Sequence, residues 1–221
     1  MLQSTSMNDT QCDSLSVNFY LASQSPRRAL LLKQLALDFK VLDTDIDESL
    51  VVPEEPGDYV SRMAQEKSLQ GLKCLDQSNS PVKHATVLGA DTVIVFNQQV
   101  LGKPINAADA KEMLLALSGH SHDVLTGIWL CQRQFDGSMR QEGIISQTKV
   151  TFRAITEDEI EWYWQTGEPK DKAAGYAIQG KGAMFIEHIS GSYSGVMGLP
   201  LYETAQLMAR FGFPLTKGIT G

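Results

Sequence analysis

Residues 88–104 read LGADTVIVFNQQVLGKP, and this stretch restricts the possible folds more than any other part of the chain. Val93, Ile94, Val95 and Phe96 are β-branched or aromatic, Asn97-Gln98 supply a turn, and Val100-Leu101 resume strand character before Gly102. A β-hairpin is predicted, apolar in its middle and carrying a carboxylate, Asp91, and a lysine, Lys103, at its two chain ends. Gly89-Ala90 leave the backbone before Asp91 uncrowded and Thr92 adds a neighbouring hydroxyl, a setting suited to a carboxylate that meets a ligand or a metal. Lys103 precedes Pro104, which favours extended backbone and projects the amine away from the turn. Taken alone, Asp91 reads as a turn end and Lys103 as a solvated strand edge. The rest of the chain decides between these readings.

Upstream, residues 19–23 form a short apolar run followed by Gln24-Ser25-Pro26-Arg27-Arg28 and a leucine-rich stretch: a strand, a tight loop and a helix. Ser25 is placed as N-cap with Pro26 at the first helical position, where its missing N–H costs nothing. The free amides and dipole of that helix start attract an anion, and Arg27-Arg28 add permanent charge with bidentate phosphate geometry. Two arginines oppose the dipole, so a ligand anion explains them better than stability does. A strand over 39–42 leads to the acidic cluster Asp43, Asp45, Asp47 and Glu48, from which one carboxylate can face Asp91 and complete a hard-metal site. Asp58 opens a helix ending near Leu75, with Lys67 on or beside its apolar stripe, unusual for a solvated lysine. A polar loop is expected over 77–84.

Downstream, Asn106 and Asp109 start a helix stopped by Gly119, and residues 124–135 and 144–155 read as a long architectural hairpin about Asp136-Gly137. Thr156 and Glu159 make a capping box for a helix whose Trp162, Tyr163 and Trp164 read as core. The stretch after Gly167 is dense in glycine and reads as strands; within it Gln179 offers both a donor and an acceptor to a base edge. A last amphipathic helix is expected over 199–210. No internal repeat or linker separates domains, so the 221 residues are read as one α/β domain or two joined lobes.

A net charge of −7 argues against a protein that grips nucleic acid through its phosphates, and no apolar run approaches the roughly 20 residues of a membrane helix. An anionic ligand therefore needs a local cationic pocket. The three cysteines, Cys12, Cys74 and Cys131, have no zinc spacing and read as reduced thiols in a cytoplasmic protein. His120-x-His122 lies in a polar connection and is read as structural. Residues 1–17 are read as a flexible extension without signal-peptide character, and 215–221 as a tail.

Ser23-x-Ser25-Pro26-Arg27-Arg28, Gly89-Ala90-Asp91-Thr92, Gly102-Lys103-Pro104 and Tyr176-Ala177-Ile178-Gln179-Gly180, in this order, resemble the Maf family of nucleoside triphosphate pyrophosphatases. The glutamine at 179 resembles the branch acting on dTTP and UTP, where the 7-methyl-GTP branch typically has glutamate. The resemblance implies a Maf/ITPase-like domain over 18–214, a mixed α/β sheet with flanking helices and two lobes around a central cleft. It implies a homodimer that hydrolyses dTTP, UTP and modified pyrimidine nucleotides to monophosphate and pyrophosphate, and a divalent cation such as Mg or Mn. By position, Asp91 resembles the catalytic proton acceptor and Glu48 a second acidic residue of the metal site. Arg28, Lys67 and Lys103 look like the groups holding the triphosphate; Ser23 belongs to the first binding motif, and Arg27, Thr92 and Gln179 resemble positions linked to substrate choice. The family's usual Lys-Ala-Gly-Ala-Tyr stands here as Lys172-Ala173-Ala174-Gly175-Tyr176. The family is also associated with arrest of septum formation, so a regulatory module that merely retains a nucleotide pocket is the alternative.

Overall fold

A computed structural model describes residues 19–48, 54–77, 82 and 84–213. The expected extension, the tail, Cys12 and most of the polar loop before the hairpin lie outside these residues. The strands are β1 (Phe19–Ala22), β2 (Lys40–Leu42), β3 (Ala85–Phe96), β4 (Gln99–Leu101), β5 (Ser121–Arg133), β6 (Met139–Phe152) and β7 (Ile186–Ser190). They form one mixed sheet in the order β2-β1-β3-β5-β6-β7, with β4 paired to β3. The contacts of β1 with β2 and β3 are parallel and all others antiparallel.

The central hairpin forms as the sequence predicts. Asn97 and Gln98 have φ of 51° and 65°, the paired positive values of a two-residue turn that matches strand twist. The ladder to β4 ends at Ile94–Leu101, so the two arms part just at the approach to Asp91 and Lys103. β5 pairs with β3 from Ala85 to Val95 along one edge. The opposite edge is shared: β1 covers Thr86 to Gly89 and β4 covers Ile94 to Phe96. Between them residues 90–93 have no strand neighbour on that side among the described residues, and a gap opens in the sheet with Asp91 and Thr92 at its rim.

Helices α1 (Pro26–Lys33), α2 (Pro56–Asp76), α3 (Ala107–Leu117), α4 (Glu157–Gln165), α5 (Tyr193–Val196) and α6 (Leu201–Arg210) cover the faces. The predicted caps are present at α1 and α3, where Ser25 Oγ accepts from Arg28 N at 3.5 Å and Asn106 Oδ1 from Asp109 N at 3.0 Å, whereas α2 starts at Pro56, ahead of the expected Asp58, without a side-chain cap. Thr156 and Glu159 form the full capping box. Strand alternation sorts the core. Phe19, Leu21, Leu88 and Ala90 pack towards Leu31, Leu32, Leu207 and Met208 of α1 and α6. Tyr20, Ala22, Ala85 and Val87 pack on the other face against Leu72 and Leu75 of α2. A third cluster joins Ile94, Val124 and Phe152 to Leu114, Leu117, Ile160, Tyr163 and Phe185, and forms the second lobe. Burying each such aliphatic or aromatic side chain contributes about 1.5–3 kcal/mol before chain entropy is subtracted.

Two expectations change. The glycine-dense segment is mostly not strand: it makes 3-10 turns over Glu168–Asp171, Ala173–Gly175 and Lys181–Phe185, then β7 and α5. Positive φ at Gly167, Gly175, Gly180, Gly191 and Gly198 repeatedly turns the backbone out of any ladder. In α4, Ile160 and Tyr163 are core but Trp162 is 47% exposed, because residues three apart share a helix face and the one between does not.

Candidate active site

The helix α2 lies close on the sheet because two facing strand residues have no side chain. A Cβ at Gly89 would come within 2.1 Å of the Ala64 carbonyl oxygen, and one at Gly127 within 2.6 Å of that of Val60. Gly89 is thus crowded by helix backbone, which corrects the expectation of open backbone before Asp91. Asp91 follows Gly89 on the same face and pairs with Gly127, so the helix is pressed against it. The consequence is an ion pair: Lys67 of α2, only 8% exposed, places Nζ 2.7 Å from Asp91 Oδ1 and 2.8 Å from Glu48 Oε1. Lys67 lies between the two carboxylates that the sequence suggested as a pair, rather than free in the cleft.

Glu48 is held from two sides. The bond from Lys67 keeps its carboxyl below the usual carboxylate range, against the opposite push of burial, with the charges of Lys103 and Arg28 assisting. Its backbone carbonyl accepts from the Tyr59 hydroxyl at 2.9 Å. Burial beside the negative charge of Asp91 and Glu48 pushes the Tyr59 phenol up to about 12. Sequence reading missed Tyr59, which stood among ordinary apolar helix residues.

Thr92 faces the other side of the sheet, towards α1. Arg28 donates from Nη2 to Thr92 Oγ1 at 3.2 Å, from Nε to the Gly198 carbonyl at 2.8 Å and from Nη1 to Ser23 Oγ at 3.4 Å. Thr126 Oγ1 donates to the Gly195 carbonyl at 2.8 Å, so the 3.0 Å contact between the two threonines has Thr92 donating to Thr126. Each hydroxyl hydrogen then has one acceptor, and the chain of bonds fixes the guanidinium while leaving part of its donor fork for a ligand. Burial lowers the Arg28 pKa and the charge of Asp91 opposes that shift. Ser23 does not line the cleft; it sits behind, also accepting from Ser25 N at 3.2 Å, and braces Arg28 and the helix start. Thr126, read as part of an architectural hairpin, is a second residue that sequence reading missed.

These groups wall a cleft of about 590 Å³ between the lobes. Arg27, Arg28, Glu48, Lys67, Asp91, Thr92, Lys103 and Gln179 all line it, as does Lys172, whose ammonium pairs with Asp171. In a chain of net charge −7 the lining gathers five cations, Arg27, Arg28, Lys67, Lys103 and Lys172, against three carboxylates, Glu48, Asp91 and Asp171. That is the local cationic pocket an anionic ligand needs.

A family model described as Maf-like protein matches residues 18–211. The chain belongs to the Maf family. Among its relatives, a dTTP/UTP pyrophosphatase of Pseudoalteromonas atlantica is 50% identical over 190 residues, 86% of this chain and 95% of the relative. Proteins of the same name from Dechloromonas aromatica and Vibrio cholerae are 42% and 45% identical over 205 and 191 residues, covering 89% and 86% of this chain and 98% and 96% of theirs. A crystal structure of a nucleoside-triphosphatase / dITP/XTP pyrophosphatase from Mycobacterium abscessus aligns with a TM-score of 0.37 at 14% identity, over 63% of this chain and 76% of that one. That likeness is too slight to carry an argument.

Where the order departs from the usual Maf one, at 172–176, the chain makes a 3-10 turn over Ala173–Gly175. Ala174 adopts the left-handed conformation, φ 50° and ψ 19°, that glycine takes most easily, and Gly175 follows at φ 67°. Tyr176 and Gln179 both reach the cleft wall. His122 stands behind Tyr176 with Nε2 2.7 Å from its hydroxyl, while His120 Nδ1 contacts the Ser118 carbonyl at 2.8 Å. The two imidazoles serve separate local contacts, and burial holds His122 near pKa 4, so it is neutral at physiological pH.

Among the described residues no group of three or more His, Cys, Asp or Glu side chains could hold a metal ion. The donor set on offer is Asp91 with Glu48, whose nearest oxygens Lys67 already joins. Two carboxylates suit a Mg-like ion, which is commonly bound by one or two carboxylates together with substrate phosphates and waters.

Proposed function

We propose that this Maf protein hydrolyses the α–β phosphoanhydride bond of dTTP and UTP, releasing the monophosphate and pyrophosphate, with modified pyrimidine triphosphates as further substrates. The observation that carries the reading is the convergence on one cleft of a half-buried, ion-paired Asp91 with Arg27, Arg28, Lys103 and Lys172. The curated relatives named for this activity span nearly the whole chain and lend it support.

Each residue has a task that follows from its placement. Arg28, its fork aimed by Ser23, Thr92 and Gly198, grips phosphate oxygens at the start of α1, where free amides and the helix dipole add to the attraction. Arg27 and Lys103 neutralise the charge that develops on the departing pyrophosphate. Asp91 orients the attacking water and accepts its proton as the new bond to the α-phosphorus forms and the bridging oxygen leaves with the β-phosphate. Lys67 aims Asp91 through its 2.7 Å bond. A divalent cation, Mg, Mn or similar, held by Asp91 and Glu48, would supply Lewis acidity and a more acidic water. Gln179 offers a donor to a pyrimidine carbonyl and an acceptor to the ring N3–H, which uracil and thymine satisfy and cytosine does not. A homodimer, carried by family resemblance, and a cytoplasmic setting, carried by cysteines without disulfide or zinc spacing, complete the proposal.

Purified protein incubated with UTP, dTTP and CTP plus a divalent cation tests this, with pyrophosphate and orthophosphate measured separately. Pyrophosphate from UTP and dTTP is expected, and Asp91→Asn should lower kcat by about 100-fold or more. Orthophosphate as the sole inorganic product, or near-normal turnover by Asp91→Asn, refutes it.

A further inference from the structure

The loop carrying Gln179 is held from behind by a single carboxylate. Glu168 accepts at Oε2 from Lys181 N at 2.9 Å, and at Oε1 from Gly182 N at 2.9 Å and from the Tyr163 hydroxyl at 2.8 Å. The same hydroxyl accepts from Ala177 N at 3.2 Å. Gln179 lies midway between Ala177 and Lys181, so the loop is pinned two residues to either side of it, while its own amide makes no hydrogen bond among the described residues and lines the cleft. The glycines leave room for this: a Cβ at Gly180 would meet Glu168 Oε2 at 2.6 Å, and one at Gly182 the Tyr163 oxygen at 2.6 Å. Burial pushes the Glu168 carboxyl up, but the Gly182 and Lys181 amides, the Tyr163 hydroxyl and the Lys181 charge outweigh it and hold it below its ordinary value. Tyr163 is fully buried and its pKa is raised by that burial, so it stays a donor.

We propose that Glu168 is a positioning residue for base selection: its carboxylate anchors the 177–182 loop and so sets where the Gln179 amide meets the pyrimidine edge. The proposal rests on the base-reading role given to Gln179 above. The geometry favours an ionised acid specifically. Three donors converge on two oxygens, and an amide in that place has one oxygen to accept with, while its NH2 turns towards an N–H. At least one backbone donor then loses its partner, and the loop moves to recover it.

The test compares kcat/KM for UTP and CTP, a ratio indifferent to how much of a preparation is folded. Glu168→Gln should reduce the wild-type UTP preference by about tenfold, the effect of losing one well-made hydrogen bond to a charged group. Tyr163→Phe, which removes one donor and keeps the ring, should reduce it by about threefold. In a Gln179→Ala background both substitutions should leave the ratio where Gln179→Ala alone puts it, because the effect travels through that amide. Equal losses on UTP and CTP with the ratio kept, or the same ratio change with and without Gln179, overturn the proposal. If Glu168→Gln fails to fold, Tyr163→Phe decides by the same criteria. A wild type that yields no pyrophosphate from UTP fails the catalytic reading itself. One that yields it without preferring UTP over CTP overturns base selection, and this proposal with it, while leaving the hydrolysis standing.

Discussion

Lys67→Met removes the one cation shared by Asp91 and Glu48 and keeps the apolar stem, so its effect isolates the charge. At 2.7 Å and an effective dielectric near 20, the Lys67–Asp91 attraction is about 6 kcal/mol before desolvation is subtracted. Deleting one partner of a buried pair costs about 3–5 kcal/mol, because the other charge stays behind uncompensated. The low end applies here: Asp91 keeps 14% of its side-chain exposure at the cleft rim and can recruit water. The Glu48 arm, with 54% of the side chain exposed, adds about 1 kcal/mol at most. A net loss of about 3 kcal/mol corresponds to a fall in Tm of roughly 6–12 °C for a chain of this length. The gap should narrow in acid. Glu48 has a depressed pKa in the folded protein, so its contribution is present above its unfolded value, near 4.3, and is lost as pH falls through the folded value. The variant lacks that contribution at every pH. Thermal unfolding of wild type, Lys67→Met and the double variant Lys67→Met/Asp91→Asn at pH 7 and pH 4 measures this, the double variant recovering part of the loss at pH 7. A Tm change under about 2 °C at pH 7, or a gap that widens in acid, refutes the reasoning.

Gly89→Ala sets a methyl against the Ala64 carbonyl at 2.1 Å and the Ser68 amide at 2.7 Å, both helix backbone that cannot rotate away. Overpacking of this kind costs about 1–3 kcal/mol, and by lifting α2 from β3 it should lower kcat as well, measured by urea unfolding and pyrophosphate release. His122→Gln should flatten the acid side of the stability curve. The folded His122 has a pKa of about 4 and the unfolded one about 6.5, so the unfolded chain takes up the proton first and wild type loses on the order of 3 kcal/mol between pH 7 and 4. Urea midpoints across that range should show the loss in wild type and much less of it in the variant.

Local chemistry was legible in the sequence wherever neighbours along the chain satisfy one another. The Ser25, Asn106 and Thr156 caps and the Asn97-Gln98 turn each involve residues a few positions apart, and the structure reproduces them. Asp91, Arg28, Lys103 and Gln179 could be singled out because their motifs are short and ordered. The roles of Tyr59, Thr126 and Glu168 could not, since their partners lie in other elements and are met only through packing: Tyr59 meets Glu48 across 11 positions, Glu168 meets Gly182 across 14 and Thr126 meets Gly195 across 69. Gly89 shows the limit best. In sequence it is a residue without a side chain beside a carboxylate; only the contact with α2 shows that the missing side chain admits a helix. What the chain by itself determined was, outside the glycine-dense stretch after Gly167, which segments become strands and helices, and which chemical groups they carry. Tertiary structure decided that β1 and β4 leave a gap on one edge of β3, that Lys67 is ion-paired, and that one carboxylate holds the Gln179 loop. Those outcomes depend on how closely backbones approach, which side-chain volume fixes only once the elements are packed.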